Sequence, residues 1–434
     1  MARFGRQACR SLLVTTLVTT VTGKVRLRPC GKRLLAIIAR VNAPRLDRMV
    51  FPDRRSLALA GRTWAEVSLT TLRNNFRIVQ QHVGPDVAIC AVVKADGYGH
   101  GATECALALE AEGTPWLGVT DAAEGRALRA AGIWTRILLM TGIWKGEEDG
   151  IVSHNLTPTV WEPWHIERLD NAAKRQQINL PVHLKIDTGM TRLGATVEAL
   201  PQLCEKLAAA KHLHLEGVST HFASAEVLDA EEAPRQMKLF EDALAVLHER
   251  GFKPPLVHLG NSAAVSARPD TWKTMVRPGI LLYGYSLPTT RDGKIVTELS
   301  LPLTPVLTWK TRVLTVKDVA AGQAVGYMGT YVTKERSRIA ALPVGYADGY
   351  PRLLSNRARV ILRGEYAPIV GRVSMDLTTV DVGHIPGVEV GDEVILIGSN
   401  NGKSVDAVEL SWWGETVPYE ILCGISQRVP RVYS

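Results

Sequence analysis

Between about residue 64 and residue 290 one pattern recurs along the chain: a short apolar run rich in Val, Ile and Leu, a polar turn, then a stretch with helical spacing of apolar positions. Eight such runs fall at 87–93 (VAICAVV), 116–120 (WLGVT), 136–140 (RILLM), 156–160 (LTPTV), 182–187 (VHLKID), 215–222 (LEGVSTHF), 256–260 (LVHLG) and 276–284 (VRPGILLYG). The runs are nearly continuous rather than alternating, which predicts strands buried on both faces, as in a parallel sheet covered by helices. Local signals punctuate the helices. Asp121, with Glu124 three residues on, opens DAAEGRALRAAG, and Gly132 ends it, giving a capping box and a C-terminal glycine. Eight strand-helix units of this size predict an α/β fold, a (β/α)8 TIM-type barrel. An open doubly wound sheet is the rival, and it is disfavoured because no G-x-G-x-x-G follows any of the runs.

After about residue 298 helical periodicity fades, and short β-branched runs alternate with Gly and Pro turns, as at 357–364 (RARVILRG) and 388–398 (VEVGDEVILIG). A mainly β C-terminal domain over 298–434 therefore follows a barrel over 61–297. No low-complexity linker separates the two.

Charge is unevenly placed. The chain carries 51 Lys and Arg against 43 Asp and Glu. Residues 1–50 hold eleven of the basic groups and one acidic group, Asp47, so the rest carries 40 basic and 42 acidic groups. The body is close to neutral, which gives no basis for a nucleic-acid partner. Residues 1–60 read as a basic extension outside the folded body, either disordered or upstream of a true start such as Met49. Export is the lesser reading of that segment, because its apolar run at 11–23 is diluted by threonines and is too short to span a membrane. Cys9, Cys30, Cys90, Cys105, Cys204 and Cys423 show no C-x-x-C spacing. They read as reduced thiols in a cytoplasmic protein, with no disulfide framework and no metal site.

In such a barrel functional side chains sit at the carboxyl ends of the strands, and a phosphate site commonly forms after the seventh and eighth. The first run ends in Lys94, within AVVKADGYGHG, where partial desolvation would lower the amine's pKa and free it to attack an aldehyde. A solvated lysine in a glycine turn is the plainer reading of the same residue. The fifth run ends in Lys185 and Asp187, with Arg192 just beyond. The sixth carries His221, the seventh leads to Asn261 and Ser262, and the eighth contains Arg277, Gly279 and Ile280. Singly, His221 reads as a core histidine, Asn261 as a turn former and Arg277 as half of a surface ion pair. Together, polar groups at one end of four successive strands point to a shared polar ligand, since burying each unpaired would cost about 1–3 kcal/mol. Ser262 and the amides of Gly279 and Ile280 suit a phosphate.

The segments AVVKADGYGHG, KIDTGMTRLG, STHFA, GNSA, RPGI, GYADGYPR and GRVSMD, in this order from about residue 61 to the end, closely resemble the alanine racemases. The resemblance implies pyridoxal 5′-phosphate (PLP) as cofactor, with Lys94 holding it as a Schiff base. Tyr98, Asn261, Ser262, Gly279, Ile280 and Tyr419 would surround its phosphate side, while His221 lies beside the ring and Arg277 faces the pyridine nitrogen. It implies a head-to-tail homodimer in which each site is shared between one subunit's barrel and the other's β domain. Tyr327, within AVGYMGTY, matches the second base, although relatives more often have Ser-Tyr-Gly there; Tyr331 is the alternative. Arg192 and Met375 would position the substrate and the tyrosine, with Asp376 in support, and Lys185 matches a position often carbamylated in relatives. Racemisation of L- and D-alanine by two bases, supplying D-alanine for peptidoglycan, is the implied reaction. Phenols are weak bases at neutral pH, so Arg192 and His221 would have to stabilise the phenolate. Alternatives are a broad-spectrum racemase of lysine, arginine or serine, a barrel-type PLP decarboxylase and a non-catalytic PLP carrier. A carrier would lack the β domain.

Overall fold

The computed structural model describes residues 61–434. The basic extension, its apolar run, and Cys9 and Cys30 lie outside the described residues.

Eight strands form at or beside the apolar runs: β1 (Ala88–Val92), β2 (Trp116–Val119), β3 (Arg136–Leu139), β4 (Leu156–Val160), β5 (Leu180–Lys185), β6 (Leu213–Ser219), β7 (Leu256–His258) and β8 (Met275–Val276), the last sharing only Val276 with its run at 276–284, the remainder of which is turn. Every pairing between them is parallel, in the order β7-β6-β5-β4-β3-β2-β1-β8. No ladder joins β7 to β8. Two flanking backbone bonds close that gap instead, from Thr274 N–H to the Val257 carbonyl at 3.2 Å and from Arg277 N–H to the Gly260 carbonyl at 2.8 Å. The result is a (β/α)8 barrel.

Helices α2 (Ala102–Ala111), α3 (Ala122–Ala130), α4 (Glu148–Ser153), α5 (Pro163–Gln176), α6 (Leu200–Ala209), α7 (Glu232–Glu249) and α8 (Ser262–Ala267) connect consecutive strands, and α1 (Leu69–Val83) precedes the barrel and packs beside α2. Helix α1 starts at Ser68, whose side chain accepts from Thr71 N–H, and it buries Leu72, Phe76, Val79 and Val83 at helical spacing. Its buried Asn75 donates to the carbonyls of Leu282 and Thr304 and accepts from Thr304 N–H, fixing the start of the chain to the segment that leaves the barrel.

The C-terminal part is mainly β. One sheet includes Leu307–Arg312, Arg359–Leu362 and Glu393–Asn400, and a second consists of Thr315–Val319, Ser337–Leu342 and Thr378–Asp381. One segment grouped with the barrel on sequence grounds belongs here. Thr63–Val67 pairs antiparallel with Leu307–Arg312 and parallel with Arg431–Tyr433. The first described strand is thus zipped between strands some 240 to 370 residues away, contacts that periodicity within a window cannot register. Two short helices, α9 (Ala407–Trp413) and α10 (Pro418–Gly424), carry this part of the chain back over the barrel mouth.

Candidate active site

Lys94 stands two residues past β1, where the backbone turns sharply. Ala95, Asp96 and Gly97 have φ of 52°, 52° and 61°, and Tyr98 has φ of 54°. Left-handed backbone costs a non-glycine residue about 1–2 kcal/mol, so its surroundings must hold this turn. Asp96 accepts the Ala102 N–H at 2.8 Å, and Arg431 donates from Nε and Nη2 to the Gly99 carbonyl at 3.0 and 2.9 Å. A Cβ on Gly99 would lie 2.2 Å from the Leu422 carbonyl oxygen of α10, so only glycine admits that helix. The Lys94 amine has its pKa lowered, chiefly by burial and next by Arg192, while Glu124 opposes the shift. The shift is in the direction that favours a nucleophilic amine.

The amine opens into a cavity of about 990 Å³ at the carboxyl end of the barrel, which brings together Lys94, Tyr98, Lys185, Arg192, His221, Asn261, Ser262, Arg277, Gly279 and Tyr419. On one wall the Gly279 N–H donates to Ser262 Oγ at 2.8 Å, and the Asn261 side chain caps α8 by accepting from Ala264 N–H at 3.0 Å. Ile280 is fully buried and does not line the cavity, and its N–H makes no hydrogen bond among the described residues. Tyr98 is wedged between Tyr283 and Tyr419, with ring centroids 5.0 and 6.0 Å away.

Arg277 is buried and touches no carboxylate, so it is not half of a surface ion pair. Nη1 donates to His258 Nδ1 and to the His258 carbonyl, both at 2.7 Å. Nη2 donates to the Thr220 carbonyl at 2.7 Å and faces His221 Nδ1 at 3.3 Å. Burial brings its pKa down to about 10, which leaves it a cation at neutral pH. Because guanidinium only donates, both histidines must accept at Nδ1 and carry their proton on Nε2. His258 Nε2 then donates to His183 Nδ1 at 2.9 Å, and His183 Nε2 faces Glu216 at 3.7 Å. A directed chain of hydrogen bonds therefore runs through the barrel interior from the guanidinium at the cavity to His183, whose Nε2 makes no hydrogen bond among the described residues and lies near a carboxylate that also binds Arg136. Burial, followed by Arg277, depresses the pKa of His221 to about 2, so it stays neutral. Lys185 is more extreme: burial, Arg277 and Arg192 hold its amine well below the lysine range, with Asp187 opposing them.

Besides Ile280, three more predicted site residues are not in this cavity. Tyr327 is 72% exposed, Met375 is 53% exposed, and Asp376 pairs with Arg428 at 2.8 Å on the surface of the C-terminal part. Tyr331 differs from Tyr327 in being committed already, donating from its hydroxyl to Asp381 at 3.3 Å. Conversely, His183, His258 and Glu124 escaped the sequence reading. The two histidines left only a faint signal, a polar residue inside an apolar barrel strand.

The family model for the alanine racemase N-terminal domain matches residues 67–287, and that for the C-terminal domain matches residues 306–433. An alanine racemase of Halothermothrix orenii is 42% identical over 371 residues, covering 86% of this chain and 96% of the relative. Among solved structures, alanine racemase of Clostridium difficile 630 superposes with a TM-score of 0.81 at 36% identity, over 86% of this chain and 96% of the other. That of Bartonella henselae, with covalently bound pyridoxal phosphate, gives 0.76 at 29% identity, over 86% and 100%. With both domains matched and the lysine, arginine and histidine groups gathered at one barrel mouth, this chain belongs to the alanine racemase family of PLP-dependent isomerases.

Proposed function

We propose that this protein interconverts L- and D-alanine, with PLP held at Lys94 and with Lys94 and Tyr327 of the partner subunit as bases on opposite faces of the substrate Cα. The carrying observation is the Lys94 amine, largely buried and lining a cavity that also brings together Arg277, Tyr98, Ser262 and Gly279. The residues fit the cofactor on their own chemistry. A primary amine with a lowered pKa suits an aldehyde. The hydroxyls of Ser262 and Tyr98, which line the cavity beside Gly279, suit a phosphate. Arg277 Nε makes no hydrogen bond among the described residues and suits an acceptor nitrogen. When bound, the cofactor draws electron density away from the substrate Cα–H bond.

Each side chain then has a definite task. Lys94 takes or returns a proton at Nζ on one face. Arg277, unable to give up a proton readily, keeps its acceptor unprotonated and tempers electron withdrawal. His221 turns Nε2–H outward, where it can donate to the phenolate oxygen of the second base. Arg192 binds the substrate carboxylate. Lys185, whose amine burial, Arg277 and Arg192 hold well below the lysine range, suits addition of carbon dioxide with loss of a proton, and the carbamate anion formed would neutralise Arg192.

The second base comes from another copy. Tyr327 sits with Met328, 83% exposed, on a hairpin whose Gly326 lies beside Gly371 and Arg372, and Tyr346 and Met375 are further exposed apolar side chains of the C-terminal part. Such exposed apolar side chains suit an isologous partner surface. Met375 O already accepts from Ala347 N–H, so its contribution would come through N–H. Tyr419 and Tyr327 of the partner subunit crowd the site and favour alanine over longer substrates. The product serves peptidoglycan, and the location is cytoplasmic. Incubating the holoenzyme with L-alanine tests the reading: D-alanine is expected without carbon dioxide, and release of carbon dioxide would indicate a decarboxylase instead.

A further inference from the structure

The glutamate of the predicted capping box does not complete the box. In that motif the acidic residue three positions after the cap reaches back to the cap's own N–H. Asp121 does cap α3, accepting from Ala123 N–H at 2.9 Å and Glu124 N–H at 3.0 Å. Glu124, however, turns across the barrel mouth. Its Oε1 accepts the Ala95 N–H at 2.8 Å, and its Oε2 accepts the Thr120 N–H at 2.7 Å. One carboxylate thereby ties the end of β2 to the residue directly after Lys94.

That residue is where the left-handed turn begins, with Ala95 at φ 52° and ψ 52°. Bonds from an ionised acceptor are the stronger kind, and both oxygens of this one are used on backbone. The charged groups acting on the Lys94 amine are Arg192 and Arg277 on one side and Glu124 on the other, with the Cys423 thiol from α10 the remaining titratable neighbour. We infer that Glu124 is a positioning residue for Lys94: it locks the turn that aims the amine into the cavity and sets a negative charge against the surrounding arginines. This deepens the reading of Lys94 as the cofactor-bearing base and rests on it.

Glu124→Gln keeps the shape but removes the charge and one acceptor, so one N–H must face an amide nitrogen. Glu124→Asp keeps the charge on a shorter arm. Asp121→Ala removes the cap of the same helix without touching Ala95 or Thr120. The holoenzymes are compared by the pH midpoint of the visible absorbance of the lysine-bound cofactor, by kcat and KM, and by amide exchange of the 94–98 segment. Glu124→Gln is expected to move the midpoint to lower pH, because the protonated lysine nitrogen loses an opposite charge. It should also speed exchange at 94–98 and reduce kcat on the order of tenfold with KM little changed. Glu124→Asp should retain a midpoint near that of the unaltered protein while kcat falls, and it serves alone if the glutamine variant does not fold. Asp121→Ala should lower the melting temperature with the midpoint unmoved. The inference is overturned if Glu124→Gln keeps both midpoint and kcat, or if Asp121→Ala moves the midpoint equally. If Lys94→Ala retains the absorbance, the cofactor assignment itself fails and the role of Glu124 falls with it.

Discussion

Gly279→Ala perturbs the proposed phosphate cradle by a single methyl group. A Cβ there would lie 2.2 Å from Tyr98 Oη, 2.8 Å from Cζ and 3.3 Å from Cε2. The backbone of Gly279 is not left-handed, so the substitution carries no conformational penalty of its own and the effect is steric. Tyr98 cannot swing clear, because Tyr283 and Tyr419 pack against its ring. Overpacking of this kind costs about 1–3 kcal/mol, and displacing Tyr98 separates two donors that would share one phosphate. If that cost falls on the bound state, PLP should bind roughly 5- to 150-fold more weakly. Titrating apoprotein with PLP and following absorbance measures the affinity, and melting the apoprotein separates the part of the cost present without ligand. Tyr98→Phe in the same background removes the closest atom but leaves Cζ, so it should relieve the clash only in part. An alanine variant that binds PLP within about twofold of the unaltered protein and melts at the same temperature would refute this reading of the cradle.

Lys94→Ala is expected to abolish both the visible absorbance of bound PLP and racemisation, measured by spectroscopy and by chiral separation of alanine. Tyr327→Phe should keep PLP bound but lose racemisation from the L side; full activity would transfer the role to Tyr331. Acid should unfold the protein early. His100, His183 and His258 are fully buried with depressed pKa values, that of His100 at about 4 and the others lowered chiefly by burial. Below the ordinary histidine value the unfolded chain takes up protons that the fold refuses, so stability falls as pH falls through 6.5. By pH 5.5 His100 alone contributes a loss of about 1.4 kcal/mol, with His183 and His258 adding to it in the same direction, and an unchanged melting temperature between pH 7.5 and 5.5 would contradict it.

Much of this architecture could be read before any coordinates. Strands buried on both faces announce themselves as apolar runs, and seven of the eight runs hold most of a barrel strand, while the eighth, at 276–284, gives only Val276 to one and is otherwise turn. Thr63–Val67 did not, because its meaning lies in partners at the far end of the chain. Strand ends pointed to Lys94, Lys185, His221, Ser262 and Arg277, since barrel geometry turns a position in sequence into a position at the mouth. Glu124 was legible as a helix-start residue and illegible as a brace for Lys94, because a local motif describes neighbours along the chain, and the Ala95 N–H comes from a different strand end. His183 and His258 were hidden for a related reason: which groups a buried histidine bonds depends on which strands lie side by side.

The sharing of each site between two subunits is best tested by mixing defects. Lys94→Ala and Tyr327→Phe are each expected to be inactive in at least one direction as homodimers. Co-expression and random pairing would make half the dimers mixed, each with one intact site and one doubly altered site, so L- to D-alanine activity should return to roughly a quarter of that of the unaltered dimer. Activity that stays at the level of the separate variants, with mixed dimers demonstrated by tag-based purification, would place both bases in one chain and contradict the two-subunit site.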